Sequence, residues 1–406
     1  MKIPFSPPYI DDDVKKEVLD TLESGWITSG PKVLALEKLV AESVGLEHVA
    51  CCSSATSGLM LMLHWYGIGP GDEVIIPAYT YAATALVVMH VGATPVMVDI
   101  RDDFNISLDE IRKKITAKTK AIIPVDIAGW PCDYQGIYEL VNDAQKKKQF
   151  NAVKDIQKKL GRILILSDAA HSIGATYHEK PTGQWGDFTV FSFHAVKNVT
   201  TAEGGAICIN LPKDVFNHGE VYKQLKLWSL NGQTKDALAK TQGAGWRYDI
   251  VYPGFKMNMP DICAAIGLAQ FRKYQSLILP ERQRVFNAYT KSFGSFEWAQ
   301  LPPQNTDRQT SSYHLYALRI KGIKEAQRDQ IMEEIAKRNV SVNVHFQPLP
   351  MLTVFKERGF KMSDYPAAFD HYSREISLPI YPELDAEKID YIVKAVAESY
   401  QTIVHG

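Results

Sequence analysis

Between about residues 45 and 210 the chain repeats one unit, a short apolar run followed by a stretch long enough for a helix. The runs are "HVACC", "DEVIIP", "TPVMVD", "KAIIPV", "ILILSD", "DFTVFSF" and "GAICIN". They are apolar throughout rather than alternating, which fits strands covered on both faces in a mostly parallel α/β sheet. Segments between them, such as 55–66 and 81–91, suit crossover helices, and "GIGPGDE" and "HVGATP" supply turn punctuation. Beyond about residue 257 the pattern changes to "YHLYALRI", a helix near 325–338, "VSVNVHF", "EISLPIYP" and a final helix near 385–400. That mixture predicts a smaller α+β unit. A chain of 406 residues is too long for one ordinary core. The sequence therefore predicts a large α/β domain over 1–256 and a small C-terminal domain over 257–406.

The charge balance narrows the partners. Lys plus Arg total 45 against 46 for Asp plus Glu, so no overall field draws the protein to nucleic acid or anionic lipid. No run of about 18 apolar residues occurs, and the start "MKIPFSPPYIDDD" has no signal-peptide core, so a cytoplasmic enzyme is expected. Five cysteines without C-x-x-C spacing argue against a disulfide framework and a zinc site, and the histidines form no obvious metal cluster.

In open α/β sheets ligands bind beyond the carboxyl ends of the strands, so residues just after each run are the candidates. "ILILSDAAHS" ends a run at Asp168 with His171 three residues on. "FTVFSFHAVK" ends one at Ser192 and delivers Lys197. "HVACCSSATSGL" opens a helix at Ala55, Thr56 and Ser57, and "DEVIIPAYTY" leaves Tyr81 beyond a strand. Pyridoxal phosphate would need these types of residue. A lysine must form the Schiff base, a carboxylate must keep the pyridine nitrogen protonated, and a helix N-terminus must hold the phosphate. Lys197, Asp168 and the helix at Ala55 match those needs, and Tyr81 could serve as an aromatic platform. Each residue alone has a plain alternative, as solvated lysine, helix cap or core tyrosine; their joint placement carries the reading. Nicotinamide and nucleotide motifs are missing: "GIGPGD" precedes a strand and is not G-x-G-x-x-G, and no G-x-x-x-x-G-K-[ST] or H-E-x-x-H occurs.

With those residues in hand, the chain resembles the sugar-nucleotide aminotransferases of the DegT type, a pyridoxal-phosphate family of the aspartate aminotransferase fold (fold type I). The resemblance runs through "SGWITSGPKVLALE", "SSATSGLMLML", "GIGPGDEVIIPAYTYAATA", "SDAAHSIGA", "FSFHAVKNVTTAEGG", "PGFKMNMPDICAAIGLAQ" and "VNVHFQPLP". Members most similar at "FSFHAVKNVTTAEGG" and "GFKMNMPD" aminate C4 of UDP-4-keto sugars. Residue by residue, the resemblance implies that Lys197 carries the cofactor, Asp168 meets its ring nitrogen and His171 lies near its phenolic oxygen. It also implies that Ala55, Thr56 and Ser192 hold the phosphate and that Tyr81 stacks on the ring. Asn258 would reach the cofactor of a neighbouring subunit, making the protein a homodimer with shared sites. His345 would face the substrate, with Thr28, Lys256 and His194 as further substrate candidates. The implied reaction is a two-stage transamination in which glutamate converts the cofactor to pyridoxamine phosphate and a keto sugar nucleotide takes the amino group.

Two alternatives stay in view. A pyridoxal-phosphate-dependent sugar dehydratase would carry histidine in place of Lys197, and a non-catalytic regulatory homologue would not need the Lys197–Asp168 pair. The Lys-rich stretch 144–161, "AQKKKQFNAVKDIQKKLG", is longer than the resemblance expects and is read as lengthening a surface helix. Residues 231–253 are the expected specificity loop.

Overall fold

The computed structural model describes residues 1–235 and 247–405, so 236–246 of the expected specificity loop lie outside the described residues. Its main sheet has seven strands in the order Val49–Cys52, Gly205–Ile209, Phe188–Ser192, Leu164–Asp168, Thr119–Ile122, Glu73–Pro77, Thr94–Val98. The last five of these run parallel, and Gly205–Ile209 opposes both of its neighbours. The reversal follows from chain length. Residues 193–204, between Ser192 and Gly205, form turns and no helix, so the chain folds back and the two strands pair antiparallel. Residues of the strands Val49–Cys52, Thr119–Ile122, Leu164–Asp168, Phe188–Ser192 and Gly205–Ile209 are all buried, as the uninterrupted apolar runs require.

Two features set the sheet's register, one at each end of its strands. The buried Arg162 guanidinium donates to both Asp187 oxygens at 2.7 and 2.6 Å, and Asp187 also accepts the Ile165 N–H at 2.8 Å. This bidentate pair ties the start of one parallel strand to the start of the next. At the other end Gly205 pairs with Cys52 on one side and Ser192 on the other. A Cβ there would stand 2.7 Å from the Ala55 nitrogen and 2.8 Å from the Phe191 oxygen, both backbone atoms. Glycine lets this strand lie against the first turn of the helix Ala55–Trp65. Gly205→Ala is expected to cost roughly 1–3 kcal/mol by overpacking. Thermal melts and equilibrium dialysis of pyridoxal phosphate would check this, since the displaced atom is the Ala55 nitrogen; unchanged melting and affinity would contradict it.

The Lys-rich stretch forms two short helices, Ala144–Gln149 and Asp155–Leu160, instead of lengthening one. Its interior is anchored: the Gln157 amide donates to the Tyr66 oxygen at 3.1 Å, and the Lys120 ammonium donates to Asn151 O at 2.6 Å. These bonds stop the chain from continuing as one solvated helix.

The smaller unit holds an antiparallel sheet of Ala299–Gln300, Tyr316–Ile320 and Glu375–Leu378. The helices Leu279–Phe293, Glu325–Lys337 and Ala386–Val404 share its core, and Ile3 joins them by bridging to Val340. The stretch "VSVNVHF" makes only isolated bridges, at Val340 and Asn343. The helix Asp261–Arg272 packs instead on Asp12–Glu23 and Pro31–Val44. Its buried Asp261 carboxylate accepts the N–H groups of Gly30, Lys32 and Val33 at 2.8–3.0 Å, capping the helix Pro31–Val44 from outside. We propose that the boundary between the units lies at the turn Tyr274–Ile278 rather than at 256/257, because the large unit's apolar core extends through Ile278.

Candidate active site

At the carboxyl ends of the parallel strands lies a cavity of about 430 Å³, closed on one side by the small unit's His345 and Phe346. Asp168 and Ser192 reach it from strand ends, Ala55 and Thr56 from the helix they open, and Tyr81 from the loop after Glu73–Pro77. His171, His194 and Lys197 line it from the turns that follow two of those strands. One chain thus brings together nine of the twelve residues to which the resemblance gives a role. Tyr81 sits at the rim, 63% exposed, with its ring 5.7 Å from that of Phe346. Thr28, Lys256 and Asn258 lie outside the cavity. Asn258 donates to Ser29 Oγ at 2.6 Å and borders a second cavity with Ser29 and Lys226, whereas Thr28 and Lys256 are exposed.

The polar groups of the cavity have an electrostatic order. The turn that carries Lys197 is closed by its N–H on the His194 oxygen at 2.9 Å, and its ammonium has no hydrogen-bond partner among the described residues. Burial outweighs the pull of Asp168 and pushes the Lys197 amine down to about 8. Asp168 is buried, and burial holds its carboxyl above the usual range against the bonds from Thr84 and Ala170 and the nearby Lys197. Its Oδ2 accepts the Thr84 hydroxyl at 2.8 Å and its Oδ1 the Ala170 N–H at 3.3 Å. His171 is kept neutral by burial and by Lys197 and His345. The Ala128 N–H donates to its Nδ1 at 3.2 Å, which leaves the hydrogen on Nε2.

The opposite end of the cavity is an anion cradle. Ser54 caps the helix Ala55–Trp65 by accepting the Ser57 N–H at 3.0 Å, so Ala55 and Thr56 present N–H groups with no intrahelical carbonyl to bond. The Ser192 hydroxyl lines the same wall. Together with the helix dipole these donors suit a phosphate.

Several contributors were not singled out in the sequence. Thr84 holds Asp168. Asn198 is buried, donates to Ser312 O at 2.7 Å and meets His314 Nδ1 at 2.8 Å, and the His314 ring lies 4.3 Å from that of His171. Phe346 closes the far side of His171 at 5.8 Å. Asn198 sits one residue after Lys197 and Phe346 one after His345, so adjacency was a usable signal for both; nothing local marks His314 or Thr84. His194 faces Glu203 at 3.5 Å on the exposed side of the turn.

An amine without a partner, a buried carboxylate facing it and a helix N-terminus with free donors are a donor set that fits pyridoxal phosphate. Fold and site together define a pyridoxal-phosphate-dependent aminotransferase. The chain belongs to the DegT/DnrJ/EryC1/StrS aminotransferase family, whose model matches residues 8–397. It is 34% identical over 402 residues to the spore coat polysaccharide biosynthesis protein SpsC of Bacillus subtilis, covering 98% of this chain and 96% of the relative. The putative sugar aminotransferase Spr1654 from Streptococcus pneumoniae, in its PMP form, superposes with a TM-score of 0.94 at 45% identity over 99% of this chain and 100% of that one. PseC of Helicobacter pylori, an aminotransferase involved in the biosynthesis of pseudoaminic acid, superposes with a TM-score of 0.84 at 27% identity, covering 99% and 100%. Among the described residues no helix is long and apolar enough to cross a membrane.

Proposed function

We propose that this protein moves the amino group of glutamate to a keto sugar nucleotide, at C4 of a UDP-4-keto sugar, for the synthesis of an amino sugar. The observation that carries the reading is the half-buried Lys197 amine, unpartnered among the described residues and electrostatically coupled to Asp168 within a cavity that a second unit closes. The roles of SpsC in spore coat polysaccharide biosynthesis and of PseC in pseudoaminic acid biosynthesis support a sugar as the acceptor.

Pyridoxal phosphate, when bound, supplies the electron sink and carries the amino group between the two substrates. Lys197 would hold it covalently at rest and, once freed, act as the base and then the acid that moves the substrate proton. An amine lowered to about 8 serves both directions, because its neutral form is far more accessible near neutral pH than that of an ordinary lysine. Asp168 would hold a positive charge at the ring nitrogen, and Thr84 fixes which way that carboxylate faces. The Nε2–H of His171 would donate to an oxygen on the ring. Ala55, Thr56 and Ser192 would hold the phosphate, with Tyr81 and Phe346 bordering the ring. Thr28, Lys256 and Asn258, which lie outside their own chain's cavity, would serve that of a second copy in a C2 dimer.

The test of the reaction is a product assay with glutamate and a panel of 3-keto and 4-keto UDP-, dTDP- and GDP-sugars. A 4-amino UDP-sugar with stoichiometric 2-oxoglutarate is the expected result. Amination of 3-keto sugars alone, or a keto-deoxy product without amino transfer, would overturn it. The amine state is tested separately. Only the neutral amine attacks an aldehyde, so capture of pyridoxal phosphate by apoprotein should speed up with pH and level off above about 8. Stopped-flow absorbance between pH 6 and 10 reads this directly, and a rate still climbing steeply at pH 10 contradicts a lowered lysine.

A further inference from the structure

The strand Glu375–Leu378 places two polar side chains on the floor of the small unit, one behind the other, directly under His345. Glu375 and Ser377 are fully buried. Ser377 Oγ lies 2.5 Å from Glu375 Oε1, and His345 Nδ1 lies 2.9 Å from Ser377 Oγ. The other Glu375 oxygen accepts the His345 backbone N–H at 3.1 Å, and Tyr79 donates its hydroxyl to the His345 oxygen at 2.6 Å. The imidazole ring stacks on Phe5 at 5.4 Å and lines the cavity, where its Nε2 has no partner among the described residues. A carboxyl buried in an apolar unit is costly unless bonded, and these three side chains form one unbranched chain from that carboxyl to the cavity.

We propose that Glu375, Ser377 and His345 are a proton relay, through which a proton taken up at His345 Nε2 from the cavity is stored on Glu375 and returned. The proposal rests on the reading that this cavity is the active site, but on no particular substrate. The bookkeeping of hydrogens is closed. With Glu375 ionised, Ser377 donates to Oε1 and accepts from the His345 Nδ1–H, so Nε2 is a bare acceptor facing the cavity. When Nε2 gains a proton, the Nδ1 hydrogen passes to Ser377 Oγ as the Ser377 hydrogen passes to Glu375 Oε1. The O–H of Ser377 then points at Nδ1, and His345 is left neutral with its hydrogen on Nε2. One proton has entered, it resides on Glu375, and the cavity now faces a donor. Conversion of a keto oxygen to water requires protons at that oxygen, and a relay from the small unit can deliver one without placing a fixed positive charge beside Lys197.

The surroundings suit storage rather than permanent ionisation. Burial pushes Glu375 up to about 8, opposed by its bonds from Ser377 and His345 and by Arg328 and Arg319. Arg328 is itself committed to the Tyr372 and Glu375 carbonyl oxygens, and Arg319 lies against His371. Tyr79 is the remaining titratable neighbour of Glu375, and burial keeps it protonated. His345 is pushed down to about 3 by burial and by Lys197, and it also faces His171 and His314, both neutral. A neutral imidazole next to a carboxyl that titrates near 8 can change tautomer without changing charge.

The test reads the tautomer. In holoenzyme labelled with 15N in its histidine rings, and with the His345 signals assigned by their loss in His345→Gln, Nε2 should carry the hydrogen at pH 6 and Nδ1 at pH 10. The midpoint should fall near 8. Glu375→Gln, whose amide can donate to Ser377 but cannot ionise, should hold the Nε2–H form throughout, and Ser377→Ala should abolish the dependence. A protonated-carboxyl band in the infrared spectrum at neutral pH should disappear in Glu375→Gln. In the amino-acceptor half-reaction, Ser377→Ala should lower kcat roughly three- to tenfold with less change in KM, the scale of one lost hydrogen bond. A wild-type tautomer that does not change between pH 6 and 10, or one that changes equally in Glu375→Gln, overturns the relay. Because the wild-type titration decides by itself, misfolding of a variant leaves the result readable. Failure of the sugar assay would leave this measurement intact.

Discussion

Lys197→Ala is expected to abolish turnover while leaving the protein folded. The loss should reach at least ~10⁴-fold in kcat, because one amine has two jobs: the covalent hold on the cofactor and the transfer of the substrate proton, which alone contributes about 10²–10⁴. Stability should not suffer. The Lys197 amine has no hydrogen-bond partner among the described residues and is lowered to about 8, so burying it opposes folding whenever the unfolded lysine is charged. The sign follows from proton counting. Between about 8 and the ordinary lysine range, the unfolded chain binds a proton there that the folded chain does not, so this group's contribution to stability rises with pH. Below that window folding must confine a charged amine. Lys197→Ala apoprotein should therefore melt no lower than wild type at pH 7. Borohydride treatment of the wild-type holoenzyme, followed by peptide mapping, should find the pyridoxyl label on Lys197 and none in the variant. A label elsewhere, or a variant that still turns over, would sink the assignment.

How much of this was legible in the sequence depends on how far apart the cooperating residues lie along the chain. The sheet was readable because strands covered on both faces must be apolar throughout, and each of the seven runs overlaps a strand of the main sheet. The polar ends of those runs were readable for the same reason: Asp168 and Ser192 are where a buried strand stops. What could not be read was pairing across the chain. Thr84 bonds Asp168 over a sequence distance of 84 residues, and Asn198 meets His314 over 116. Neither has a local signal, because a threonine in a helix and a histidine before a strand have ordinary structural uses. The division at 256 came from a change of strand pattern, but Asp261 caps a helix 228–231 residues earlier in the chain, a tie that no local pattern encodes. The Lys-rich stretch was misread for a related reason, since its charges are solvated while Gln157, the residue that fixes it, is buried.

Asp168→Asn should lower kcat by roughly 10²–10⁴, and its stability signature separates an electrostatic role from a packing one. Asparagine has nearly the same shape. It can keep the bond from the Thr84 hydroxyl and, through its single oxygen or its amide, most of the local geometry, so the change is close to a removal of charge. Without cofactor, that charge is unfavourable. Burial raises the Asp168 carboxyl above its ordinary value of 3.8, so over the window above that value the folded state binds a proton that the unfolded state does not. Stability from this group is therefore lost as pH rises through the window, and among the described residues Lys197 is the cation that acts on it. Asp168→Asn apoprotein should accordingly melt higher than wild type at pH 7, with the gap narrowing toward pH 4. Pyridoxal phosphate should reverse the order, because its protonated ring nitrogen would supply the cation that Asp168 lacks. Melting curves of both proteins, with and without cofactor at pH 4 and 7, decide the matter. An apo variant less stable than wild type at pH 7, or one that gains as much from the cofactor, would show Asp168 to be a structural residue at a strand end.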